Sequence, residues 1–218
     1  MHALLRAFAF AALAGFLAQG TPAKADPAVT FDNLTSGSFL NVPDAATLGW
    51  RFTVNQPISV SALGIFDSGQ NGLAQSYSIG IWNSGGGLVA SGTVSSGTSN
   101  PLVNQFRYAP IAPVILAPGT YDIGALYEAP ADDPVITGGA VPADAPTNFA
   151  TSPLITFDEA EGVAGGALTN PGGEFLPAFD PGIFGPNFLA DAVPEPATLA
   201  LFGGGLLALG ILRRRRRS

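Results

Sequence analysis

The sequence predicts an all-β fold, an antiparallel β-sandwich of the jelly-roll kind, for the central part of the chain. Three observations support this prediction. Apolar residues recur with period two in several short segments, turn-forming residues separate those segments, and none of the segments has a helical period. The chain has 218 residues, which is enough for one such domain with targeting segments at its ends.

The strand pattern is clearest where apolar side chains alternate with small or polar ones. Residues 58–66 are also strand-like, with a change of apolar phase between Ala62 and Leu63 that is typical of a β-bulge. Segments 88–94 and 106–111 complete the predicted set. The clearest alternation places on one face the side chains of Trp50, Phe52 and Val54, of Tyr77, Ile79 and Ile81, and of Tyr121, Ile123, Ala125 and Tyr127.

The predicted ectodomain spans residues 26–192, and its second part is expected to be rich in loops. Nine prolines and nine glycines fall between residues 130 and 190, a composition that favours irregular structure. Within this part, 154–157 and 184–189 are the segments that could add closing strands.

The first 25 residues are predicted to be a secretory signal peptide. Arg6 precedes an uncharged stretch, 7–17, and Ala23 and Ala25 form an A-x-A site for signal peptidase. The apolar stretch is shorter than the roughly 20 residues of a stable membrane anchor. Asp26 is therefore the predicted mature N-terminus. The alternative, an amphipathic helix of a cytosolic protein, is disfavoured because no polar face interrupts 7–17.

Residues 193–218 have the character of a membrane tail. The apolar stretch 197–212 would be roughly 24 Å long as a helix, which is short for a bilayer core of about 30 Å but sufficient if flanking side chains snorkel. We predict that 197–212 spans the membrane once and that the closing arginines stay in the cytoplasm, so that 26–192 lies outside. The run of glycines at 203–205 argues against a buried core helix instead. The closing residues are Arg213, Arg214, Arg215, Arg216 and Arg217.

The order of these parts resembles the PEP-CTERM sorting tail, a bacterial C-terminal signal handled by exosortases, which are membrane-embedded, transpeptidase-like enzymes. The resemblance covers residues 193–218 and implies that Pro194, Glu195 and Pro196 are the recognition motif. It also implies that 197–212 is the helix, that the arginine run is the stop, and that the source is a Gram-negative bacterium that makes exopolysaccharide.

A second resemblance covers residues 30 to 128. Four segments of this part resemble domains of unknown function of the DUF4082 kind, which occur on bacterial surface proteins. The segments are 48–54, 63–67, 79–82 and 116–121. This resemblance implies a β-sandwich and brings no known catalytic residue.

The charge and the missing residue types exclude several function classes. Between Asp26 and Val193 there are two arginines and fifteen acidic residues, a formal charge of −13, which should repel nucleic acids and anionic lipid headgroups. The chain has no cysteine, and its single histidine and single lysine are His2 and Lys24. After export the chain would therefore lack the residues of a Ser-His-Asp triad, a Cys-His pair or a Schiff base. We expect no catalytic residue, no metal site and no cofactor.

Carboxylates and aromatic rings are the remaining candidates. A pair of carboxylates could run glycoside hydrolysis, and candidates cluster at Asp158, Glu159 and Glu161 and at Asp132-Asp133; solvated loop charges are the favoured interpretation. Asp67 begins a turn that weakly resembles a calcium loop, although a plain turn is favoured because the closing glutamate is missing. Aromatic residues on strands are favoured to lie in the core, and among them Trp82 is the best candidate for an exposed ring that could stack on sugar.

The sequence thus predicts an exported protein of the cell surface or extracellular matrix that is not an enzyme. Its expected role is that of a structural or glycan-binding module of the exopolysaccharide layer. The expected partners are signal peptidase, an exosortase, the membrane through one C-terminal span, and exopolysaccharide, with no nucleic acid. The alternatives are a carboxylate-dependent glycoside hydrolase and a simple membrane-anchored adhesin.

Overall fold

A computed structural model describes residues 25–32, 34, 39–129, 133–138, 148–172 and 182–194. Within these residues one 3-10 turn, Ser68–Gln70, accompanies strands only. The strands are β1 Asp26–Pro27, β2 Val29–Asp32, β3 Phe39–Leu40, β4 Ala46–Val54, β5 Ile58–Phe66, β6 Tyr77–Asn83, β7 Leu88–Val94, β8 Leu102–Val103, β9 Phe106–Leu116, β10 Gly119–Tyr127, β11 Val135–Gly138, β12 Asn148–Thr151, β13 Ile155–Ala164, β14 Gly182–Phe184 and β15 Pro186–Ala192.

Two five-stranded sheets form the body of the fold. Sheet I has the strand order β1-β15-β5-β9-β8, and sheet II has the order β13-β4-β10-β6-β7. Two smaller sheets, β14-β11-β3 and β12-β2, complete the arrangement. Neighbouring strands pair antiparallel throughout, from β1 with β15 to β8 with β9. The predicted all-β antiparallel sandwich is confirmed.

Trp50 of β4 joins the two sheets at the centre of the core. Its ring is fully buried and stacks on Phe188 of β15, with 5.9 Å between the ring centroids. The indole Nε1 donates a hydrogen bond of 2.9 Å to the carbonyl oxygen of Pro186. Burying a large aromatic side chain contributes about 1.5–3 kcal/mol, and the satisfied N–H avoids the cost of a lone buried donor. Trp50 therefore fixes sheet II over the start of β15.

The strands predicted from alternation are present with the predicted faces inward. The core-face side chains of β4, β6 and β10 are buried, apart from the half-buried Tyr121, which still packs on Phe52. The bulge predicted in β5 is present, but it lies at Ser61 and not between Ala62 and Leu63. The pairing of β5 with both β9 and β15 skips Ser61.

The closing strands that the sequence allows at 154–157 and 184–189 are present in β13 and in β14 and β15, and the described part of 130–190 holds more strand than its composition predicts. Strands β11 to β14 and most of β15 lie there. Several of the described prolines and glycines stand at strand ends, as Gly182 does at the start of β14 and Pro186 at the start of β15. In β13 a bulge at Asp158 interrupts the alternation of apolar and polar residues. Each of the two parts of this ten-residue strand is therefore too short to be predicted with ease from its own pattern.

The described residues contain no helix of sufficient length and apolarity to cross a bilayer. The predicted span 197–212 and residues 1–24 of the predicted signal peptide lie outside the described residues.

Gly185 is the point at which the chain passes from β14 in a small sheet to β15 in sheet I. A Cβ atom built there would lie 1.8 Å from the hydroxyl oxygen of Tyr127 and 3.0 Å from Cγ1 of Val135. Tyr127 is fully buried, so its ring has no free space into which to move. The absence of a side chain at position 185 therefore allows β10, β11 and β15 to meet.

We predict that Gly185→Ala destabilises the fold by about 1–3 kcal/mol, the usual cost of overpacking a core. Gly166→Ala is the matched control, because a Cβ at that position meets nothing within 4 Å. Urea unfolding followed by tryptophan fluorescence measures both. Equal midpoints for the two variants would contradict the packing argument.

Candidate functional site

An ion cluster on the outer face of sheet II is the most concentrated group of charges in the described fold. Arg51 of β4 donates from Nε to Asp122 Oδ1 at 2.9 Å and pairs through its two terminal nitrogens with Glu159 and Glu161 of β13. The three carboxylates come from the two strands on either side of β4. One guanidinium therefore ties three neighbouring strands together.

The members of this cluster differ greatly in exposure. The side chain of Glu161 is 0% exposed, whereas that of Glu159 is 39% exposed. Burial by itself lowers the pKa of the Arg51 guanidinium, but the hydrogen bond with Asp122 and the three carboxylates raise it, and the net direction is upward. Arg51 therefore stays charged at any pH at which the protein is folded.

The segment 165–172 folds back over the same face. Asn170 donates from Nδ2 to the second oxygen of Asp122 at 3.1 Å, and the Thr169 N–H donates to Thr47 Oγ1 at 3.3 Å. Pro171 is buried against Gly124, where a Cβ would lie 3.1 Å from the proline ring. The role of Asp122 was not predicted, because its pairing with Arg51 depends on the β4–β10 register and not on sequence spacing.

The interpretation of Asp158, Glu159 and Glu161 as solvated loop charges is wrong about the loop, and it is wrong about solvation for Glu161, whereas Asp158 is exposed. All three lie in β13, and Asp158 accepts a hydrogen bond of 2.8 Å from Thr53 Oγ1. The backbone of β13 pairs with β4, and two of the three carboxylates bind Arg51 on that strand. Acid-base hydrolysis of a glycoside needs carboxylates that reach the substrate from both sides. Here Glu159 and Glu161 are both engaged by Arg51, and Glu161 is closed off from solvent.

Arg107 of β9 makes the second ion pair, which is buried. Its Nε donates to Asp67 Oδ2 at 2.6 Å, and Asp67 in turn accepts from the Gly72 N–H at 3.1 and 3.2 Å. The terminal nitrogens of Arg107 donate to carbonyl oxygens of Gln70, Thr98 and Asn100. Asp67 directly precedes the 3-10 turn Ser68–Gln70, and its cationic partner is the guanidinium of Arg107.

The carboxylate of Asp133 is also buried, so the interpretation of this residue as a solvated loop charge is wrong as well. It accepts hydrogen bonds from the Ala74 N–H at 2.8 Å and from the Tyr77 hydroxyl at 2.9 Å. Burial raises the pKa of Asp133 above its ordinary value, although these hydrogen bonds oppose the rise. Its predicted neighbour Asp132 lies outside the described residues. Asp133 thus fastens the chain after β10 to the start of β6.

The prediction that Trp82 presents an exposed ring is wrong, since its residue is only 5% exposed. Trp82 does lie on the outer face of β6, as its phase requires. The ring, however, lies over Gly80, where a Cβ would come within 2.5 Å of it. Leu88, its partner across the bulged β6–β7 pair, lies over the same glycine. The indole is therefore covered by its own hairpin.

A shallow depression of about 240 Å³ lies where β1 meets β12, away from the ion cluster. This is below the 300–1,000 Å³ of common ligand pockets. Its lining residues are Asp26, Pro27, Thr30, Thr151, Ser152 and Pro153.

The two ends of the described fold lie side by side in sheet I. Asp26 of β1 pairs with Ala190 of β15, and the strands run antiparallel. The chain therefore enters and leaves the sandwich at the same end of this sheet. The Val193 N–H still donates a hydrogen bond of 3.0 Å to the Pro57 carbonyl oxygen, whereas Pro194 is exposed. No linker separates the last strand from the proline motif.

A family model, the PEP-CTERM protein-sorting motif, matches residues 192–217. The chain carries a PEP-CTERM sorting motif. The motif implies export, sorting to the cell surface and processing by an exosortase. No curated protein and no solved structure matches the chain.

The PEP-CTERM match covers the tail alone, so the resemblance of residues 30 to 128 to DUF4082 domains stays a prediction. Of the predicted processing residues, Ala25 precedes β1 and Pro194 follows β15, within the described fold. The others lie outside the described residues: Ala23, Glu195, Pro196 and the five arginines 213–217. Their individual roles also stay predictions.

We predict that Arg51→Met destabilises the domain by about 2–3 kcal/mol at pH 7. This is somewhat less than the cost of removing one member of a fully buried ion pair, because Arg51 is partly exposed. The buried carboxylates of Asp122 and Glu161 would lose their cation, and two buried charges would be left uncompensated. Urea unfolding at pH 7 measures the loss. A midpoint equal to that of the unmodified protein would contradict this role of Arg51.

The double variant Arg51→Met with Glu161→Gln is the control for this prediction. It removes the buried charge together with its partner, so it should recover part of the lost stability. A double variant that is less stable than Arg51→Met alone would contradict the assignment of Glu161 to Arg51.

Proposed function

We propose that this exported protein is a non-catalytic module of the exopolysaccharide layer, in which the sandwich serves as a structural or glycan-binding unit. Its precursor is held in the inner membrane by the span 197–212 until an exosortase acts at Pro194, Glu195 and Pro196. The product then reaches the cell surface or the extracellular matrix.

The observation that carries this proposal is the direct passage from β15 into the sorting motif. The last strand ends at Ala192, and the family match begins at the same residue. Since Asp26 lies beside Ala190, the predicted signal peptide and the predicted span would emerge from the same end of the domain. Both could then occupy one membrane without any rearrangement of the sandwich, which is what a precursor with two membrane segments requires.

A non-catalytic role is supported by how the candidate groups are used. The carboxylates considered for hydrolysis bind Arg51, Thr53 or Tyr77 in the described fold. The described residues also hold no group of three or more His, Cys, Asp or Glu side chains arranged for a metal ion. With Trp82 covered, glycan binding would depend on the neutral hydroxyl and amide side chains of the surface.

The tail would act before processing by holding the motif at the outer face of the membrane. Each arginine costs about 2.5–3.5 kcal/mol at the bilayer centre on insertion scales. Five arginines in a row should therefore keep the tail from passing through the bilayer. The short span suits a temporary anchor.

We predict that Glu195→Ala leaves membrane insertion intact and blocks processing, so that the full-length chain accumulates in the inner membrane. Glu128→Ala is the matched control, because Glu128 is an exposed glutamate at the end of β10. Replacing Arg213 to Arg217 with serine should instead weaken retention before processing. Immunoblots of inner-membrane and surface fractions distinguish these outcomes. Normal processing of the Glu195→Ala variant would favour a simple membrane anchor.

We also predict that the processed protein, purified from the cell surface, co-sediments with exopolysaccharide from the producing strain. A protein of similar negative charge serves as the control for non-specific retention. The absence of affinity for every matrix fraction would leave the sorting assignment intact and remove the glycan-binding half of the proposal.

A further inference from the structure

Strands β6 to β9 are built from segments of the chain that bring almost no charge, and the part of the described fold that they form is the uncharged side. Residues 68–106 contain no Asp, Glu, Lys or Arg, in a segment of the chain that otherwise has a formal charge of −13. Strands β6, β7 and β8 all belong to this uncharged segment. Residues 108–121 are uncharged too, and Arg107 between them is buried on Asp67. The large apolar side chains exposed in the described fold all fall here: Leu88, Leu102 and Ile115.

The uncharged side includes a sheet edge that differs from the other edges of the two large sheets. Sheet I ends in β1 and β8, which have two residues each, and β1 contains Pro27. Sheet II ends on one side in β13, which has a bulge and three carboxylates. Shortness, proline, bulges and charge are the features by which proteins prevent unwanted strand addition.

Strand β7 forms the remaining edge, and most of its length lacks these features. It has seven residues without proline or charge, and after a bulge at Val89 it pairs regularly with β6 from Ala90 to Val94. The neighbouring exposed half of β9 is interrupted, because Pro110 and Val114 flank residues that have no one-to-one partner in β5. Among the described strands of the two large sheets, β7 therefore presents the longest regular open edge.

The side chains of β7 allow another strand to approach closely. Ala90 and Val94 point into the core, whereas Ser91 and Thr93 are exposed. These are small residues, with Gly92 between them, so two copies of this strand can lie side by side without a steric clash. An antiparallel pair of identical strands is self-complementary, which is the condition for a two-fold dimer.

We propose that β7 pairs antiparallel with β7 of a second copy of this chain, joining the two copies of sheet II into one continuous sheet. The unpaired backbone N–H and C=O groups of each edge satisfy those of the other. The distribution of charge favours self-association at this edge over the others. Exposed carboxylates of two copies repel each other over a Debye length of about 8 Å at physiological salt. Strand β7 and the segments beside it in the sequence contain no carboxylate.

The absence of cysteine from the chain allows a direct test on the protein as cells export it. Thr93→Cys places one thiol on β7, and Thr156→Cys places one on β13, an exposed threonine on the opposite edge strand of the same sheet. A short, membrane-impermeant bis-maleimide is added to intact cells that export and process the protein. The reagent is long enough to join the two thiols at position 93 even if that position lies one or two residues away from the two-fold axis of the dimer.

We expect a covalent dimer from Thr93→Cys and only monomer from Thr156→Cys. Adding Ser91→Lys to Thr93→Cys should abolish the dimer, because it sets like charges against each other on the edge. The same variant makes the protein less negative overall, so general charge repulsion would predict the opposite result. A mono-maleimide applied in parallel reports whether each thiol is accessible.

Equal cross-linking of both thiols, or none at either, would overturn the proposal. A Thr93→Cys thiol that stays monomeric and resists the mono-maleimide, while Thr156→Cys reacts, would also overturn it, since another occupant would then cover β7. Cross-linking that survives Ser91→Lys would show that the contact does not use strand pairing.

Discussion

A shortage of cations is the constraint on which much of this structure depends. The sandwich has two positive side chains, Arg51 in sheet II and Arg107 in sheet I, and each one is shared among several acceptors. Arg51 neutralises carboxylates on both adjacent strands, and Arg107 closes two loops onto one strand end. Carboxylates without a cation must face water or remain buried with hydrogen bonds, as Asp133 does with Tyr77. Each arginine therefore has a structural effect well beyond a single ion pair.

The same constraint shapes the surface. Acidic residues on β13 are held near Arg51, while the opposite edge of sheet II has neither sign of charge. The apolar core between the sheets is independent of this division, because Trp50 and its aromatic neighbours close it without any ionised group. Folding thus relies on burial and strand pairing, and the distribution of the few charges decides which surfaces can approach other molecules.

Much of the fold follows from local pattern. Strands β4, β6 and β10 are predictable because each alternates over its own length, and the phase change in β5 reveals its bulge without knowledge of any partner. The outer face is not predictable in this way. Trp82 is covered because Leu88 and Gly80 lie beside it across a bulged hairpin, and Asp122 meets Arg51 because of register between strands far apart in sequence. The burial of Glu161 has the same origin, since its neighbour on β4 is set by a second bulge. The sorting motif is the opposite case, because it is contiguous and needs no tertiary context.

The pairing of β1 with β15 has a consequence for how this domain could move between genes. Asp26 and Ala192 are separated by one strand spacing and two residues, about 9 Å. A domain whose ends are this close can be inserted into a surface loop of another protein, or rejoined end to end and opened elsewhere, with little distortion of either part. The 83–87 turn between β6 and β7, with its three consecutive glycines, is a natural place for new ends in such a rearranged chain. The closeness of its two ends thus makes the sandwich tolerant, on geometric grounds, of a change in what precedes and follows it in the chain.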